Sequence, residues 1–155
     1  MTKSTALSEG SKAPAFKLET DSGKTISLSD LKGKTVVLYF YPKDMTSGCT
    51  QEACDFRDLH NKFKKKNTVI LGVSKDNVTS HSKFKSKYEL PFDLLSDSEG
   101  KICAAYGVWK EKSMYGRKYM GIERTTVVIG EDGKVQKIYN KVKVKDHAKT
   151  VLEEI

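Results

Sequence analysis

Six consecutive residues from Val36 to Tyr41 are aliphatic or aromatic, and Thr35 leads into them. With no polar residue alternating between them, the run predicts a strand over 35–41 that is buried on both faces. Pro42 ends it. After Ser47-Gly48 the period changes: Cys49, Ala53, Phe56, Leu59 and Phe63 follow one another at steps of four, three, three and four. That spacing is one face of a helix, with Cys49 in its first turn. A second β-branched run, Thr68 to Ser74, follows the helix, so the three segments form a βαβ unit with parallel strands.

Shorter patterns flank this unit. Pro14 to Thr20 and Lys24 to Leu28 alternate apolar with polar around the turn Asp21-Ser22-Gly23, which predicts a β-hairpin. Ser29 to Lys32 reads as one helical turn stopped by Gly33. Downstream, Asn77 caps a lysine-rich helix to Tyr88 that exits at Pro91. Leu94 to Asp97 is a short apolar segment, and Ser98-Glu99-Gly100 opens a helical stretch through Ile102, Cys103 and Tyr106, ended by Gly107. Val108 to Gly121, aromatic and basic with two glycines, reads as loop with some strand. Thr125 to Ile129, the turn Gly130 to Gly133, and Lys134 to Tyr139 make the clearest hairpin, and an amphipathic helix from Asp146 to Ile155 closes the chain. This order predicts an α/β protein of thioredoxin-like type: a central mixed sheet flanked by helices, with an N-terminal β-hairpin, in a single domain spanning 1–155.

Composition adds limits. A length of 155 residues suffices for a core without disulfide staples. No apolar run reaches the length of a membrane span or signal segment, so the expectation is a soluble, cytoplasmic protein. Three cysteines, an odd number, are expected as reduced thiols. The net charge of +8 comes from 28 Lys and Arg against 20 Asp and Glu. Its densest cluster, Lys62 to Lys66, falls in the last turn of the helix that starts near Cys49, where cations complement the helix dipole and face water. With no zinc-finger spacing, recognition helix or aromatic platform beside it, nucleic acid is not an expected partner.

The chemistry concentrates between Tyr41 and Cys54. A helix N-terminus offers unpaired N–H groups and a positive dipole end, both of which favour a thiolate at Cys49. Cys54 lies five residues on. Along an intact helix the two thiols are about 140° apart and their Cα atoms about 8.6 Å apart, beyond the roughly 7 Å a disulfide spans. Cys54 is therefore either a structural thiol or one that reaches Cys49 only if the helix unwinds. Cys103 reads as an inert core thiol. His60, His81 and His147 share no ligand spacing and Cys-x4-Cys lacks a second pair, so no metal site is expected.

These residues carry a resemblance. Pro42-x-x-x-Thr46-x-x-Cys49 resembles the active-site motif of the peroxiredoxins, and Cys54 five residues on resembles their Q-type branch, the bacterioferritin comigratory proteins. Tyr39 to Lys43, Gly48 to Thr50, Glu52 to Asp58, Leu94 to Asp97, Tyr106 to Trp109 and Arg124 to Thr126 resemble that branch in the same order. Ser47 departs from the family, which usually has proline there. The resemblance implies a thiol peroxidase without cofactor. Cys49 would attack a hydroperoxide and become a sulfenic acid, and Cys54 would resolve it as a disulfide. Thr46 and Arg124 would hold the thiolate and the peroxide oxygens, Pro42 would cover the sulfur, and Glu52 would help fix the arginine. Thioredoxin, or else glutaredoxin, is the implied reductant, and a monomer the implied state. Two other readings stand beside it: a thiol-disulfide oxidoreductase, which would want Cys-x-x-Cys, and a non-enzymatic basic binding or holdase module.

Overall fold

A computed structural model describes residues 7–155; the part of the N-terminal reading that falls on 1–6 lies outside the described residues. The βαβ unit forms as its periodicity requires. Strand β3 (Thr35–Phe40) leads into helix α1 (Ser47–Lys65), which returns through β4 (Thr68–Ser74). β3 and β4 pair in parallel, Thr35 with Thr68 through Phe40 with Val73. Helix α2 (Val78–Tyr88), whose first turn is capped by the Asn77 side chain accepting from Ser80 N–H, then leads to β5 (Asp93–Ser96), again parallel to β4. The N-terminal hairpin, β1 (Lys17–Thr20) with β2 (Thr25–Ser27), does not stand apart. β1 pairs antiparallel with β5 and extends the sheet.

After the short helix α3 (Lys101–Ala105) come β6 (Trp109–Met114) and β7 (Arg117–Ile122), then β8 (Thr125–Ile129), β9 (Val135–Tyr139) and helix α4 (His147–Glu154). The main sheet has seven strands in the order β2-β1-β5-β4-β3-β8-β9. β8 enters antiparallel beside β3, with Phe40 opposite Thr125.

Residues of β3 alternate between two cores. Val36, Leu38 and Phe40 pack on one face with Leu71, Cys103, Tyr106 and Val127. Val37, Tyr39 and Tyr41 pack on the other with Cys49, Ala53, Phe56, Phe84 and Val151, where α1, α2 and α4 lie. Double-sided burial explains the absence of polar alternation in this strand. One segment corrects the sequence reading. Val108 to Gly121, read as loop with some strand, is mostly strand: a regular two-stranded ribbon, β6 with β7, closed by Tyr115 and Gly116, both at positive φ. Its side chains are mostly exposed, so no apolar face writes a period-2 pattern into the sequence, and Tyr in the first left-handed position is not a customary turn signal. Among the described residues no helix is long and apolar enough to cross a membrane.

Candidate active site

Cys49 lies where the sheet delivers it. β3 ends at Phe40, Tyr41 N–H still bonds the Val73 carbonyl, and Pro42 opens a loop to Thr46, the residue that caps α1. The first recurrent helical bond runs from Thr50 N–H to the Thr46 carbonyl at 2.9 Å. The N–H groups of Ser47, Gly48 and Cys49 therefore lack intrahelical partners, and Cys49 is buried among them in the third helical position.

The cation over the sulfur arrives from a distant part of the chain. Because β8 pairs with β3 so that Thr125 faces Phe40, the residue before β8 falls beyond the end of β3, beside the loop to α1. That residue is Arg124. Its Nη2 donates to Cys49 Sγ at 3.3 Å and its Nη1 to Glu52 Oε1 at 2.7 Å. The backbone of Arg124 is held as well, its carbonyl accepting from Val142 N–H. Glycine at 48 makes room for this fork: a Cβ there would stand 3.3 Å from Arg124 Nη2.

Glu52 sits one helical turn beyond Cys49 on the same buried face, its side chain 1% exposed. Among the described residues only Oε1 has a partner, and Oε2 is buried with none. Burial raises its carboxyl to about 7, outweighing the attraction of Arg124. The neighbouring Tyr39 hydroxyl is also buried without a partner among the described residues, and burial together with Glu52 and Cys49 pushes its pKa well above the usual range.

The other expected residues are placed with one difference. Pro42 is half-buried at the start of the loop. The Thr46 hydroxyl donates to the Lys43 carbonyl at 2.8 Å, not to the sulfur. A hydroxyl has one proton, so here Thr46 closes its own loop and keeps only its oxygen as an acceptor. Cys54 is half-buried on a fully wound α1, its pKa raised by burial, and all three cysteines are free thiols. Cys103 is enclosed in the opposite core, where burial and Asp97 push its thiol far up, away from Cys49.

Two groupings escaped the sequence. His147, buried beneath Arg124, contacts the Thr126 hydroxyl at 2.7 Å, and burial with the nearby guanidinium lowers it to about 4. Asp44, Asp76 and His81 meet beside the loop that leads to Cys49, with a carboxylate oxygen of each aspartate and a ring nitrogen of His81 within 4.8 Å of one another. Nothing in local spacing announced the second group, since His81 lies 37 residues from Asp44.

The chain matches known proteins over nearly all its length. The description of the AhpC/TSA family fits residues 10–138. Peroxiredoxin Bcp of Bacillus subtilis is 55% identical over 144 residues, which are 93% of this chain and 92% of that protein. A putative peroxiredoxin bcp of Coxiella burnetii is 52% identical over 147 residues, 95% and 97% of the two chains. Among solved structures, the bacterioferritin comigratory protein of Xanthomonas campestris, studied for alkyl peroxide reduction in trapped intermediate and ligand complexes, superposes with a TM-score of 0.89. It shares 40% identity, and the match covers 95% of this chain and 96% of that one.

Proposed function

The chain belongs to the AhpC/TSA family as a Q-type peroxiredoxin, a thiol peroxidase, and we propose that Cys49 is its peroxide-reducing thiol. The observation that carries this reading is the Arg124 fork, which joins Cys49 Sγ and Glu52 at the N-terminus of α1. The thiolate attacks the terminal oxygen of a hydroperoxide, the O–O bond breaks, and the leaving alkoxide or hydroxide takes a proton. Cys49 is left as a sulfenic acid. Arg124 and the free Cys49 N–H supply donors where negative charge develops along the breaking bond. Thr46, whose proton is committed to Lys43, offers its oxygen to the peroxide O–H. Pro42, at the mouth of the loop, limits water at the sulfur.

In the second step the Cys54 thiol attacks the sulfenic sulfur, releasing water and forming a Cys49–Cys54 disulfide. Along wound α1 the two Cα atoms are about 8.6 Å apart, so the first turns of the helix unwind for this step. A dithiol reductant then restores both thiols; thioredoxin is our choice and glutaredoxin the rival. We take the acting unit to be a monomer, as the resemblance implies.

The test is hydroperoxide consumption coupled to NADPH through thioredoxin and its reductase, repeated with a glutaredoxin system and with hydrogen peroxide and an alkyl hydroperoxide in turn. Folded Cys49→Ser should be inactive, because a hydroxyl of much higher pKa cannot act as the nucleophile. Retained turnover in that variant refutes the assignment. Peptide mapping of the oxidised protein should find Cys49 joined to Cys54; a Cys49–Cys103 bond or a reducible dimer as main product refutes the second step.

A further inference from the structure

The loop that carries Thr46 is tied down by a buried charge pair with no part in the steps above. The Asp44 carboxylate, with its side chain 1% exposed, accepts three hydrogen bonds. Tyr41 Oη donates to Oδ1 at 2.6 Å, Ser80 Oγ donates to Oδ2 at 2.8 Å, and His81 Nδ1 meets Oδ2 at 2.8 Å. The Asp44 N–H donates to Asp76 Oδ2, itself held by Ser74 Oγ. His81 is fully buried, and its second nitrogen, Nε2, lies 3.0 Å from the Leu95 carbonyl. Nδ1 also lies 3.4 Å from Tyr41 Oη, whose proton goes to Asp44 Oδ1, so both ring nitrogens face oxygens acting as acceptors. Both contacts are hydrogen bonds only when each nitrogen carries a proton, the imidazolium form that the Asp44 carboxylate would balance. Although burial works against it, His81, Tyr41 and Ser80 together hold the Asp44 carboxyl below its ordinary range. With both His81 nitrogens and both Asp44 oxygens taken, the cluster is a closed network.

We propose that Asp44, through its buried pair with His81, is a positioning residue for peroxide reduction. It fixes the Pro42–Thr46 loop against α2 and β5, so that Thr46 and the α1 N-terminus keep one arrangement around Cys49 and Arg124. The linkage is short. Lys43 is covalently next to Asp44, and the Thr46 hydroxyl is bonded to the Lys43 carbonyl, so a shift of Asp44 carries Thr46 with it. Met45, between them, sits at φ 67°, a left-handed conformation that a side chain of this kind adopts at a cost and that persists only where its surroundings hold it. Displacing a reacting group by about 1 Å can lower a rate about 100-fold, so the clamp need slip only slightly to matter.

The proposal rests on Cys49 as the reactive thiol, and the test separates the two. Long-range nitrogen–proton NMR of the reduced protein should show two ring N–H protons on His81; a single one overturns the charged pair whatever Cys49 does. Asp44→Asn keeps the shape but removes the negative charge that would balance a doubly protonated ring. In that variant the second-order rate of Cys49 oxidation by hydrogen peroxide, measured by competition with horseradish peroxidase, should fall about tenfold or more. The rate of Cys49 alkylation by iodoacetamide, which needs no peroxide placement, should not fall. A peroxide rate within about twofold of the parent, or a parallel fall in both rates, overturns positioning. Should Asp44→Asn fail to fold, Ser80→Ala removes one donor at the start of α2 and should lower the peroxide rate about threefold with alkylation kept; an unchanged peroxide rate there is equally fatal.

Discussion

Glu52 is the most exposed point of this reading to direct measurement, because its environment penalises its own charge. One carboxylate oxygen holds Arg124 at 2.7 Å while the other is buried with no partner among the described residues. Its carboxyl titrates near 7 in the folded chain against an ordinary value of 4.5. That difference is worth about 3 kcal/mol. The sign follows from which state holds the proton. Below about pH 4.5 both states are protonated and Glu52 contributes nothing to the pH dependence. As pH rises toward 7 the unfolded chain ionises first, so stability falls, and above the folded pKa the loss levels off. Glu52→Gln cannot ionise and keeps an oxygen for Arg124, so its weaker hydrogen bond adds only a constant offset. Denaturant unfolding of the two reduced proteins should therefore show the variant gaining on its parent by up to about 3 kcal/mol between about pH 5 and about pH 8. Groups that do not touch the Arg124 fork titrate alike in both and cancel. A constant gap across that range would mean that Glu52 is as readily charged in the fold as in water, and the account of the buried pair would be wrong. The gain should come with a lower rate of peroxide reduction, since a neutral amide holds the guanidinium less firmly.

Gly48→Ala should lower the peroxide rate about tenfold with no loss of thermal stability: the new methyl presses on an Arg124 fork already held by Glu52 and Cys49, while alanine favours the helix. A parent-like rate would show that the guanidinium yields freely. Arg124→Lys keeps the charge but cannot reach sulfur and carboxylate at once, and kcat/KM should drop about 100-fold; near-parental values would reduce Arg124 to a structural role. Oxidation should increase amide exchange across residues 48 to 58 and leave β3, β4 and β8 protected, and unchanged exchange in a fully oxidised sample would mean that α1 stays wound.

Local sequence determined more of this protein than it usually does. The unbroken apolar run before Pro42, the change of period after Gly48 and the second run at Thr68 fixed the βαβ unit, and with it the placement of Cys49 in a first helical turn at the end of a strand. Those are statements about which faces meet the core, and side-chain periodicity records them. The β6–β7 ribbon was legible only as some strand because most of its side chains meet water. Arg124 could not be picked from 28 cations by any local rule, since its station over the sulfur of Cys49, 75 residues away in the chain, depends on β8 pairing with β3. The orphaned oxygen of Glu52 and the closing of Asp44 on His81 have the same origin. A carboxylate in a helix or a loop looks solvated until the sheet order decides what stands opposite it, and only then do burial and a partner set its charge.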